Sequence, residues 1–268
     1  MTLKHLHIRD EGDGRPLVFL HGWTCPGVFF DPQVSALKGH ARCIVPDLPG
    51  HGRSEDCRPL TIEATADAVQ AYLEEKDLTD VVLCGWSMGA LVAYSVIERH
   101  GADRISSVIA VDMSPKVLND PGWSNGTLSG LTVGENDHFI TTIAKDWHRL
   151  PDRIARRLFA RGQEPEPKSF AMAKSEIALA DPVLLTDMWM SLTALDFRKL
   201  LQRFPVPLHL AAGGKSQLYG PGVHAWYQEN VPDFHLTIFE NSGHAPHLEE
   251  PEKFNGLLQQ LIGAEAVA

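Results

Sequence analysis

The stretch VVLCGWSMGALVAYS, residues 81 to 95, places Ser87 between Gly85 and Gly89, where an apolar run passes into a row of small, helix-forming residues. A serine on a sharp strand-to-helix turn projects its hydroxyl from the end of the strand. Glycines two residues to either side are needed there, because a Cβ would collide with the neighbouring strand and helix. The helix start adds unpaired backbone N–H groups and a positive dipole end, which suit a developing oxyanion. The chemistry allowed is attack by Ser87 on a carbonyl, provided a base takes its proton. The bland alternative, a chance G-x-S-x-G in an ordinary turn, does not account for strand, helix and small residues standing in register.

Of the thirteen histidines, His244 is placed best for that task. It follows a strand-like run and a Ser-Gly turn near the C-terminus, where the chain order Ser…Asp…His puts the base. An imidazole titrating near neutrality suits a proton shuttle from serine to leaving group. His247, three residues on, is the competitor.

Six apolar or β-branched runs could position these groups: PLVFLHG (16–22), RCIVPDLPG (42–50), VVLCG (81–85), SSVIAVD (106–112), VPLHLAAGG (206–214) and HLTIFENSG (235–243). Each ends in glycine or a turn signal, and buried parallel strands alternating with helices are expected. Ile62, Ala66, Val69 and Leu73, spaced by four, three and four, predict an amphipathic helix packed on a sheet. The rhythm breaks after Asp112. From about Ser114 to Leu195 no buried strand is legible, whereas RIARRLFARG and PVLLTDMWMSLTAL read as helices. A run of that length is too long for a structureless loop in a compact domain. The expected fold is therefore α/β, a mostly parallel central sheet with helices on both faces, built from residues 1–113 and 196–268, with 114–195 inserted as a helical cap.

The cap holds Trp123, Phe139, Trp147, Phe159, Met172, Met188, Trp189 and Met190, enough bulk to wall a pocket for an aromatic or medium acyl group, although most such residues are packing. Arg149, Arg153, Arg157 and Arg161 recur every four residues and share one helical face, with Ile154, Leu158 and Phe159 turned away. That stripe is either a solvated face or a hold for an anionic substrate tail or an acidic acyl carrier.

Four signatures in order carry a resemblance to the α/β-hydrolase superfamily: His21-Gly22-Trp23, DLPGHGRS from Asp47 to Ser54, Gly85 to Gly89, and Ser242-Gly243-His244 followed by Glu249 and Pro251. PKVLNDPGW at 115–123 resembles, more weakly, the small esterase and cofactor-free haloperoxidase-like branch. The resemblance implies that the backbone N–H groups of Trp23 and Met88 form the oxyanion hole, that DLPGHGRS is a structural turn with His51 not catalytic, and that no cofactor is required.

The acid departs from the common pattern of that family, which sets an aspartate in the loop after the run at 206–212. That loop, AAGGKSQLYGPG, has no carboxylate. Ser216 could accept a hydrogen bond there but brings no charge to stabilise an imidazolium. Asp112, at the end of SSVIAVD, is the preferred acid, a position that some α/β-hydrolases use. Its alternative is a side chain bonded to the following Met-Ser-Pro turn, and the cap carboxylates Asp120 and Asp137 remain open.

The net charge of −10 argues against a nucleic-acid or anionic-membrane surface and favours a neutral small-molecule substrate. No apolar run approaches the roughly 18 residues of a membrane span, and MTLKHLHIRDEG lacks a signal peptide's apolar core, so a cytoplasmic protein is expected. Cys25, Cys43, Cys57 and Cys84 show neither a CxxC pair nor metal-ligand spacing with histidine. The leading expectation is a cofactor-independent serine hydrolase acting on a carboxylic ester, lactone or thioester of a small to medium apolar or aromatic acyl group. Carbon–carbon bond hydrolysis, perhydrolysis with haloperoxidase-like activity and cofactor-free ring oxygenation are alternatives on the same fold. A non-catalytic ligand-binding homologue is a further one, and the missing late aspartate is its best argument.

Overall fold

The apolar runs pair into one seven-stranded sheet: β1 (Ile8–Glu11), β2 (Pro16–Leu20), β3 (Arg42–Pro46), β4 (Val81–Trp86), β5 (Ile105–Val111), β6 (Leu208–Gly213) and β7 (Phe234–Phe239), in the order β1-β3-β2-β4-β5-β6-β7. The computed structural model describes residues 6–54 and 58–263. Every pairing is parallel except β1 with β3. Strand β1 is absent from the sequence expectation because IRDE is short, charged and only half-buried, as edge strands commonly are.

Side chains alternate across the sheet, so each strand feeds two cores. Val18, Leu20, Leu83 and Val108 pack with α2 (Ile62–Glu75), α3 (Met88–His100) and α9 (Pro221–Asn230) on one face. Leu17, Phe19, Val82 and Ile109 pack with α1 (Asp31–Leu37) and α11 (Pro251–Ile262) on the other. In α2 the four positions picked from the sequence, Ile62, Ala66, Val69 and Leu73, are all buried, and the Thr61 side chain caps the helix by accepting the Ala64 N–H at 3.1 Å.

Between β5 and β6 lie α4 (Val133–Asp146), α5 (Pro151–Leu158), α6 (Pro167–Leu179) and α7 (Pro182–Ala194), followed by the short α8 (Arg198–Leu201); α10 (Pro246–Glu249) precedes α11. Residues of α7 (Leu184, Met188 and Leu192) join the first core, whereas Ala155 and Leu158 of α5 and Ala173 and Ile177 of α6 join the second. The loops after β2 and β4 leave neighbouring strands for helices on opposite faces, and the crevice at such a switch point is where open α/β sheets bind ligands.

No helix among the described residues is long and apolar enough to cross a membrane. Cys25, Cys43 and Cys84 are free and buried, and Cys57 lies outside the described residues.

Candidate active site

Ser87 sits between β4 and α3 with φ 53° and ψ −117°, a conformation that a residue with a side chain adopts only under constraint. The constraint is backbone proximity: a Cβ at Gly85 would strike the Gly89 carbonyl, and one at Gly89 would strike the Leu20 carbonyl. The Ser87 N–H donates to the Val111 carbonyl at 3.0 Å, fixing the turn to β5. Helix α3 has no side-chain cap and no acidic residue in its first turn, so its leading N–H groups stay available.

Asp112 is the first residue beyond β5, also at positive φ (43°), and is 1% exposed. Its Oδ2 accepts the His244 Nδ1–H at 2.7 Å and the Ser216 hydroxyl at 2.7 Å, and its Oδ1 accepts the Gly213 N–H at 3.1 Å. Ser216 in turn accepts the N–H groups of Leu218 and Tyr219. The loop after β6 thus supports the carboxylate instead of supplying one. Asp120 and Asp137 take no part: Asp120 pairs with Lys116, and Asp137 is exposed on α4. With Nδ1 engaged, Nε2 of His244 is the ring nitrogen left to accept a proton.

Ser87, Met88, Trp23 and His244 line one cavity whose other walls are mostly apolar, among them Val117, Phe139, Leu158, Trp189 and Leu218. The structure closes the hydrogen bond between His244 and Asp112 and not one between His244 and Ser87; unliganded sites often leave that contact for the substrate complex. Among the described residues, neither the Trp23 nor the Met88 backbone N–H has a hydrogen-bond partner. The Trp23 indole donates to the Leu185 carbonyl at 2.9 Å, and its ring lies 4.6 Å from Trp189 and 6.0 Å from Phe139, so α4 and α7 brace the loop after β2.

That loop is also tied to the DLPGHGRS turn. His21 accepts the Leu48 N–H at 2.8 Å, His51 accepts the Thr24 N–H at 3.2 Å, and Asp47 accepts the N–H groups of Gly27 and Arg53. His247, the competitor to His244, is fully buried, stacks on Phe30 and has neither nitrogen partnered. Burial lowers His21 from 6.5 to about 4, and His51 and His247 to about 3. Below pH 6.5 the unfolded chain binds protons that these folded imidazoles refuse, so stability falls with falling pH by about 1.4 kcal/mol per pH unit for each. Glu249, which burial raises from 4.5 to about 7, works in the opposite sense between those values. His209, which burial and the His235 charge lower to about 4, adds to the three imidazoles. The net expectation is a Tm that drops from pH 7 to pH 5, with uptake of roughly three protons on unfolding near pH 5. A pH-independent Tm over that range would show that these imidazoles are not held neutral.

Of the bulky residues between β5 and β6, Phe139 and Trp189 line the cavity. Trp123, Phe159 and Met188 are core, Met190 is exposed, Met172 packs on the second core, and Trp147 lies 6.3 Å from Trp23. Tyr219, Leu218 and Val117 also reach the cavity, and no sequence signal distinguished them. The arginine stripe is shorter than its spacing suggested, because α5 spans only Pro151–Leu158, and Arg149 and Arg161 fall outside it. Ile154 and Leu158 do not turn away from the stripe. They line the Ser87 cavity beside Arg157, because one α5 face carries both the arginine and the apolar wall. Arg157 and Arg153 also line an adjoining, more polar cavity with His138 and Glu135. Arg157 has no ion-pair partner among the described residues; burial, and then the Arg153 charge, pull its pKa down.

The sequence matches the alpha/beta hydrolase family over residues 17–257, nine-tenths of the chain. The chain belongs to the alpha/beta hydrolase family. Within this family it is 30% identical over 262 residues to a pimeloyl-[acyl-carrier protein] methyl ester esterase of Vibrio cholerae, covering 96% of each chain. It is 28% identical over 253 residues to the protein of the same name from Nitrosomonas europaea, covering 93% of this chain and 96% of that one. Among solved structures, an esterase from Exiguobacterium antarcticum superposes with a TM-score of 0.89 at 26% identity, covering 97% and 96% of the two chains. The fold expected from the strand rhythm is that of an alpha/beta hydrolase.

Proposed function

We propose that the protein is a carboxylic ester hydrolase working through an acyl-serine, with residues 114–195 as the cap over its site. Ser87 attacks the ester carbonyl. His244 takes the Ser87 proton at Nε2 and delivers it to the leaving alcohol, while Asp112 holds the Nδ1–H and offsets the imidazolium charge. The N–H groups of Trp23 and Met88 receive the oxyanion. Water, deprotonated by His244, then releases the acid and restores the serine.

The observation that carries this reading is the buried Asp112–His244 pair at the edge of the cavity into which the constrained Ser87 turn opens. It also removes the best argument for a non-catalytic homologue, because a carboxylate reaches the imidazole although the loop after β6 has none. Ester hydrolysis is what the names of the relatives carry.

The finer reading concerns the acyl group. An apolar cavity leading past the half-buried Arg157, which has no ion-pair partner among the described residues, into a polar one with Arg153 suits a medium apolar chain whose far end is anionic, a free acid or the phosphate arm of an acyl carrier. The relatives named for an acyl-carrier-protein methyl ester are in keeping with it. Two methyl esters of equal chain length, one ending in a carboxylate and one in a methyl group, test both levels. The anionic ester is expected to have the higher kcat/KM by roughly tenfold, a gain of ~1.4 kcal/mol lost in Arg157→Gln and eroded by salt. Equal values without salt dependence would reduce the stripe to surface, and turnover of neither ester would overturn the esterase reading.

A further inference from the structure

Where α5 ends, residues 156–161 are laced to the two loops that flank the Asp112–His244 pair. The Ala245 N–H donates to the Leu158 carbonyl at 2.9 Å, and the Arg161 N–H donates to the Lys215 carbonyl at 2.9 Å. The Gln217 side-chain amide donates to the carbonyls of Arg156 at 2.9 Å and Phe159 at 3.0 Å. Gly243 passes so near that a Cβ on it would strike the Phe159 backbone. Glu249, in α10, closes the lacing: Oε1 accepts the Ala160 N–H at 2.8 Å, and Oε2 accepts the Gly243 N–H at 2.6 Å. One carboxylate therefore joins the residue before His244 to the residue two beyond Leu158, itself a wall of the Ser87 cavity.

We propose that Glu249 is a positioning residue of the hydrolytic site, holding the His244 imidazole and the α5 wall in one register through the N–H groups of Gly243 and Ala160. The inference rests on His244 being the base. Above the pKa that burial raises to about 7, the Glu249 carboxylate suits the task because it is acceptor-only and offers one oxygen to each N–H. Both N–H groups lie in irregular backbone, outside any helix or strand that could satisfy them otherwise. Glu250 does not duplicate the link: its Oε2 accepts the Asn241 N–H at 3.1 Å and the Ser242 hydroxyl at 2.6 Å, tightening the same loop on itself. A glutamine at 249 has the same shape but only one acceptor, so one N–H would face an NH₂ group and the loop would shift.

The test compares wild type with Glu249→Gln and Glu249→Asp at about pH 8.5, above the raised Glu249 pKa, for kcat and KM on a methyl ester, for the rate of labelling by a fluorophosphonate, and for the His244 Nδ1–H proton resonance, with Tm as the control for folding. In the Gln variant, kcat and labelling rate are expected to fall by roughly 10- to 100-fold, the cost of misplacing a reacting group by up to ~1 Å. KM is expected to change less than about threefold, and the Nδ1–H resonance to shift or broaden well below the Tm. The Asp variant, acceptor-only but one methylene short, is expected to lie between. A folded Gln variant with wild-type kcat and an unmoved resonance makes Glu249 a structural tie and overturns the proposal. Should the Gln variant not fold, the Asp variant is judged by the same readings. A wild-type protein that neither turns over esters nor takes the label overturns the esterase reading instead, and the resonance still reports on Glu249 alone.

Discussion

Ser87→Ala is expected to lower kcat on any ester substrate by on the order of 10⁶-fold, the loss seen when the nucleophile of a serine hydrolase is removed. Fluorophosphonate labelling should disappear with it. The fold should be untouched, because alanine keeps the Cβ and the turn at φ 53° is imposed by the approach of Gly85 to Gly89 and of Gly89 to Leu20 and by the N–H bond to Val111. A circular-dichroism spectrum and Tm equal to wild type, beside a silent assay, are the expected pair of observations. Undiminished labelling of the variant would place the nucleophile elsewhere.

Asp112→Asn and Ser216→Ala should differ by orders of magnitude although the two side chains touch. Three donors converge on the Asp112 carboxylate: the His244 Nδ1–H, the Ser216 hydroxyl and the Gly213 N–H. An amide has one oxygen to offer them, and its NH₂ must face one of the donors. More costly still, the imidazolium formed when His244 takes the serine proton would meet no counter-charge in a site 2% exposed. Replacing the acid of such a relay by its amide costs on the order of 10⁴ in kcat, about 5.5 kcal/mol of barrier. Ser216→Ala removes one hydrogen bond to the carboxylate, about 1.5 to 3 kcal/mol at most, and leaves the charge in place; the loss of the acceptor for the Leu218 and Tyr219 N–H groups falls on stability and not on the relay. Both variants are expected to stay folded, which Tm checks. If Asp112→Asn retains most of its activity at neutral pH, the acid lies elsewhere; if both variants are nearly silent, the hydroxyl is as necessary as the charge.

The sequence made legible what local pattern controls. The buried strands appear as apolar runs because both faces of a parallel sheet are covered, and Ser87 appears because the strand-to-helix turn around it demands small residues at fixed spacing. Asp112 is legible only through a negative, the missing carboxylate in the loop after β6. What Ser216 does instead, donating to Asp112, depends on β5 and β6 ending side by side, a tertiary fact. Strand β1 escaped because one isoleucine and three charged residues at an edge carry no hydrophobic period. Phe139 and Trp189 could not be separated from Trp123 or Met188, since all four are bulky residues in one inserted segment and only packing decides which of them meets the cavity. Glu249 was visible as part of a signature, yet its two backbone partners lie 6 and 89 residues away, and no spacing rule links it to Ala160.

The proposed nucleophile and acid are anchored by the last rungs of the ladders on either side of β5. The Ser87 N–H is held by Val111, the Asp112 N–H by Ala211, and the Gly213 N–H closes back on Asp112. These rungs join β4, β5 and β6, all internal strands of the sheet. Local unfolding starts where apolar contacts are fewest, here the half-buried β1 and the exposed turns between the inserted helices, and such openings can come and go without reaching β5. The amides that set the distance between the proposed nucleophile and acid are therefore expected to exchange more slowly than those of β1. Partial denaturation is expected to loosen the cavity walls that α4, α5 and α7 supply before it scatters the proposed reacting groups.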